Sequence, residues 1–89
     1  MPRKNTNQVR TIILNYGSDP RNQWLTDPQA DEDVVIQPVL ATMGNFDSFF
    51  VDFTRYVRDV NGIDVIMTQN GVRNCLNWGD LVGYVFNLQ

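Results

Sequence analysis

The side chains able to do chemistry in this chain are few. There is no histidine among its 89 residues. That removes the group whose ordinary pKa lies nearest neutrality, and with it the Ser-His and Cys-His dyads and the usual zinc ligand. One cysteine, Cys75, can form neither an internal disulfide nor a cysteine-only zinc site. As a nucleophile Cys75 would need a cation or a helix N-terminus beside it to lower its pKa, and only Arg73 is near in sequence. A buried structural thiol is therefore expected. Nine aspartates and Glu32 offer many carboxylate pairs. No motif fixes any of them, and aspartates at turns and helix starts have ordinary structural reasons to be there. Neither GxxxxGK[ST] nor GxGxxG occurs. The expectation is a non-enzymatic protein with no cofactor.

The acids that do cluster lie in a long irregular stretch, residues 17–33, marked as turns by Asp19-Pro20 and Asp27-Pro28. Asp27, Asp31 and Asp33 lack the central glycine and closing glutamate of a calcium loop, so no metal site is expected. The same stretch carries Trp24 and Leu25 among Asp27, Asp31, Glu32 and Asp33. An aromatic anchor with a charged rim is the composition of a protein-binding hot spot. The alternative is that Trp24 folds back to cap the core, since small domains need every large side chain.

These residues must be positioned by the elements around them. Residues 45–62 read as an amphipathic helix, with Phe46, Phe49, Phe50, Phe53, Val57 and Val60 on one stripe and Tyr56 at its margin. Asn45 is the expected cap and Asn61-Gly62 the expected stop. Val9 to Tyr16 alternates as a strand, and Val34 to Ala41 reads as a second strand bent or edged by Pro38. Asn70-Gly71 between Ile63–Thr68 and Arg73–Leu76 signals a hairpin whose register puts Ile63, Val65, Met67, Val72 and Leu76 on one face; a helix starting at Val72 competes with it. Asn77, with Asp80 three residues on, opens a last helix carrying Leu81, Val82, Val85, Phe86 and Leu88. The order β-β-α-β-β-α implies an α+β fold: a small, mostly antiparallel sheet with the helices packed on one face. Residues 1–8 read as a flexible basic arm and residues 9–89 as a single domain.

Charge narrows the partners. The net charge is -3, and Arg55 and Arg58 alternate with Asp52 and Asp59 on the central helix, where Arg55-Asp59 is an i,i+4 pair. Both features weaken a nucleic-acid track, which needs clustered Lys and Arg. No apolar run is long enough to span a membrane and the basic N-terminus leads into no apolar core, so a cytoplasmic protein is expected. A short, acidic, histidine-free chain of this kind resembles small accessory proteins of phages and mobile elements. The leading expectation is a protein-binding module, an inhibitor or accessory protein that occupies a partner surface. The alternatives are a self-assembling structural subunit using the last helix and a sheet edge, and a nucleic-acid binder using Arg3, Lys4 and Arg10.

Overall fold

The structure, a computed structural model, describes residues 3–22 and 31–89. It contains α1 (Thr6–Ser18), a 3-10 turn (Pro20–Asn22), α2 (Gln37–Thr42) and α3 (Phe46–Arg55). A π turn (Tyr56–Val60), α4 (Gln69–Arg73) and α5 (Trp78–Leu88) follow. There is no strand among the described residues; a lone antiparallel bridge joins Val35 to Asn77. The expected α+β sheet is thus replaced by a small all-helical globule.

Residues 9–16 are helical because a local cap outweighs their β-branched composition. The Asn5 side chain accepts from the Gln8 backbone N–H at 2.9 Å, and the Gln8 side chain accepts from that of Asn5 at 2.8 Å. This reciprocal box satisfies two of the donors that a helix start leaves open. Val9, Ile13 and Tyr16 then share one face and are all buried.

The second expected strand fails for a related reason. Pro38 stands in the first turn of α2, where its missing N–H costs nothing and its φ is already helical. The segment ahead of α2 is stitched to the start of α5. Ile36 and Gln37 both donate to the Leu76 carbonyl, at 2.8 and 3.1 Å, Trp78 donates to Val34 and Gly79 to Glu32.

The expected central helix forms. Phe46, Phe49, Phe53 and Val57 are buried, and Phe50 packs at the edge of the core. Val60, placed on the stripe by α-helical spacing, is 59% exposed because the chain widens into the π turn before reaching it. Asn61 closes that turn twice on the Tyr56 carbonyl, through its backbone N–H at 3.1 Å and its side-chain amide at 2.9 Å. Gly62, at φ 69°, supplies the left-handed stop. Asn45 occupies the cap position of α3, but its side chain makes no capping bond.

Asn70-Gly71 forms no hairpin. Thr68 caps α4 instead, its hydroxyl accepting from the Gly71 N–H at 3.0 Å, and neither Asn70 nor Gly71 has positive φ. The alternation ahead of it survives without a ladder: Ile63, Val65 and Met67 are buried while Asp64, Ile66 and Thr68 are exposed. In α5 the Asn77 side chain accepts from the Asp80 N–H at 2.8 Å. Asp80 reaches back one residue further than a capping box would, to the Leu76 N–H at 3.0 Å. Trp78, Leu81, Val82 and Val85 are buried, and α5 packs along α1. The two helices are clasped at one end, where Lys4 N–H donates to the Gln89 side chain at 3.0 Å and the Gln89 amide donates to the Lys4 carbonyl at 2.9 Å.

Two predictions follow from this packing. Phe49→Ala and Phe53→Ala are each expected to destabilise the fold by about 3–5 kcal/mol, the usual loss for a large buried aromatic. Losses under about 1 kcal/mol in denaturant titrations would show that the stripe is not the core. Gly71→Val is also expected to destabilise, although not through φ. A Cβ on Gly71 would lie 2.3 Å from the Tyr84 hydroxyl oxygen, which accepts the Thr68 N–H at 3.0 Å. The ring would have to move and release that bond. A Gly71→Val, Tyr84→Ala double variant should therefore show a much smaller additional cost of Gly71→Val than the wild-type background does.

Candidate functional site

The acidic stretch is only partly a rim. Trp24, Leu25 and Asp27 lie outside the described residues. Asp31 and Asp33 are exposed, and Asp31 accepts from the Glu32 N–H at 2.7 Å and, through its carbonyl, from Val34 at 3.0 Å. Glu32 is fastened down. Its carboxylate pairs with Arg10 of α1, and its carbonyl takes the Gly79 N–H at 3.0 Å. Its carboxylate thus already has a partner within the fold. At the start of the same stretch, Asp19 is held below the usual carboxylate range by hydrogen bonds from the side chain and backbone of Arg21.

The cations are dispersed. Arg3 lies 4.5 Å over the Phe86 ring and Arg73 4.1 Å over that of Phe46. Arg55 pairs with Asp52 at 3.3 Å, not with Asp59, and Arg58 pairs with Asp64 at 3.7 Å. Among the described residues no group of three His, Cys, Asp or Glu side chains is placed to hold a metal ion. No helix there is long and apolar enough to cross a membrane.

A candidate contact surface is the outer face of α3. Its buried face is held by aromatic packing, so its outer face is presented on a rigid support. Val51 stands there 65% exposed, an aliphatic side chain in the middle of an otherwise polar stripe. Two shallow concavities meet at Val51 and Arg55. One, of about 230 Å³, is lined by Phe50, Val51, Thr54, Arg55, Arg58 and Asp59. The other, of about 490 Å³, is lined by Asp47, Ser48, Val51, Asp52 and Arg55. The Thr54 hydroxyl at the first is buried without a hydrogen-bond partner among the described residues. Asp47 accepts from the Gln69 amide at 3.0 Å and Asp52 from the Tyr16 hydroxyl at 2.7 Å, which fixes both carboxylates from below. The π turn that ends α3 carries Arg58 and Asp59 of the first concavity; such turns recur at functional sites. The sequence held one signal for this face, Val51 on the side opposite the stripe.

Cys75 is placed as a buried thiol. Its Sγ donates to the Gly71 carbonyl at 3.4 Å. Burial, helped by the charge of Asp80, pushes its thiol up to about 11. Arg73, the cation that sequence placed near it, is spent on Phe46. Because the folded thiol ionises later than an unfolded one, its contribution to stability is complete below the ordinary value of 9.0 and is lost as pH rises towards 11. The denaturation midpoint is expected to fall more steeply across that window in the wild type than in Cys75→Ala; parallel curves would contradict the burial. No family model, characterised protein or solved structure matches the chain.

Proposed function

We propose that this protein is a non-enzymatic protein-docking module, and that its docking face is the outer side of α3. The observation that carries the reading is Val51: a 65% exposed aliphatic side chain on a helix whose other face is anchored by Phe46, Phe49 and Phe53. An exposed apolar residue at the junction of two concavities, on an element that cannot easily move, offers a partner a desolvated centre with polar surroundings. An apolar centre within a polar rim is the general layout of an interface. Asp31 and Asp33, exposed elsewhere on the surface, serve in this reading to steer association and not to hold it. The chemistry of the chain agrees with a binding role, since it lacks histidine and its single thiol is held protonated. We propose a cytoplasmic location, since a single buried thiol calls for no oxidising compartment.

The test is site-specific photo-crosslinking in the cells that naturally make the protein. A photoreactive residue replacing Val51 is expected to give discrete adducts, while the same residue replacing exposed Asn15 on α1 gives none. Adducts from Asn15 alone, or none from either position, would overturn the assignment of the face.

A further inference from the structure

We propose that the occupant of the α3 face is a second copy of this chain, docked α3 against α3 and antiparallel across a two-fold axis. This rests on the docking role of that face and adds the identity of the partner. Charge is ordered along this helix. Of the residues lining the two concavities, the carboxylate of Asp47 stands at the N-terminal end and the guanidiniums of Arg55 and Arg58 towards the C-terminal end, with Val51, Asp52 and Thr54 between them. Asp59 is the one carboxylate beyond the arginines.

A symmetric dimer uses the same patch on both chains, so the patch must complement itself. Antiparallel pairing about an axis between Val51 and Thr54 does this. It sets Asp47 of each copy against Arg58 of the other, and Val51 against Thr54. Parallel pairing would set like charges together. Both arginines are held loosely by their own carboxylates, Arg55 at 3.3 Å and Arg58 at 3.7 Å. Each guanidinium has five N–H donors, so most remain for a partner. One helix face is a small area, so the dimer is expected to be weak, concentration-dependent and weakened by salt.

The test is light scattering or sedimentation of the full chain over rising concentration, with folding of each variant checked by thermal melts. The wild type should move from monomer to dimer. D47K and R58E should each weaken self-association at least tenfold, because each sets like charges across the axis. An equimolar mixture of D47K and R58E should restore it, and so should the D47K/R58E double variant, since opposite charges then face each other again. A wild type that stays monomeric at millimolar concentration would overturn the second copy as occupant. So would folded single variants that associate unchanged, or a mixture that fails to recover. If the chain is monomeric but position 51 still crosslinks to proteins of other mass, the docking face stands and only its occupant is wrong. If position 51 yields no adduct at all, the face itself is wrong.

Discussion

Tyr16 of α1, set into the aromatic stripe of α3, is the contact on which the bundle depends. Its ring lies 5.2 Å from that of Phe53, edge-on, 4.9 Å from that of Tyr56 and 6.4 Å from that of Phe49. Its hydroxyl donates to Asp52 at 2.7 Å. Burial of such rings supplies the largest apolar areas available to a chain this short, and tilted or edge-on pairing adds a little beyond area. The hydroxyl keeps its hydrogen bond where the ring leaves the core. Tyr56 repeats the device in the other direction, with its hydroxyl on the Ile12 carbonyl of α1 at 3.1 Å. Two tyrosines thus tie α1 to α3 and to the π turn that continues it, by polar and apolar atoms together, and they set the rotation of one helix on the other.

That rotation decides what the surface offers. Once Phe46, Phe49, Phe53 and Val57 face inward, Val51 and the residues a turn before and after it must face outward. Two other exposed aliphatics lie on less regular supports. Ile66 is 78% exposed, but it sits in an extended segment without a ladder partner. Val60 belongs to the π turn, beyond the last regular turn of α3. Rigid backing distinguishes Val51 from both, because little order has to be gained when a partner closes on it.

The polar contacts outside the core close the globule in place of a sheet. Residues 32–37 and 76–79 exchange backbone hydrogen bonds without forming a ladder, and Glu32 adds its ion pair to Arg10. Gly79 permits the approach: a Cβ there would lie 3.3 Å from the Glu32 carbonyl oxygen. A charged residue from the acidic stretch is therefore part of the fastening between α1, the loop and α5. The net charge of the chain says little about which carboxylates are free.

The sequence by itself determined the central helix, its buried aromatics, the glycine that ends it and the last helix. It also determined the inward side of Ile63, Val65 and Met67. In each case a periodic apolar pattern is read by the core it packs against, and an α-helix or an extended segment imposes that period whatever surrounds it. It did not determine the state of residues 9–16, 34–41 and 69–73, where two periods fit. Val9, Ile13 and Tyr16 suit a helix as well as Ile12, Leu14 and Tyr16 suit a strand. The choice fell to the Asn5-Gln8 box, Pro38 in a first turn and the Thr68 cap, three local bonds or constraints that β-propensity outweighs on paper. A strand also needs a neighbour to satisfy its backbone, and the α1 packing against α5 leaves none among the described residues. Only the tertiary structure decided that Gly71 is required by Tyr84 above it, that Glu32 is bound to Arg10, and that Val51 stands alone on the outside of α3. Each depends on which distant residue comes to lie against it, and distance along the chain carries no such information.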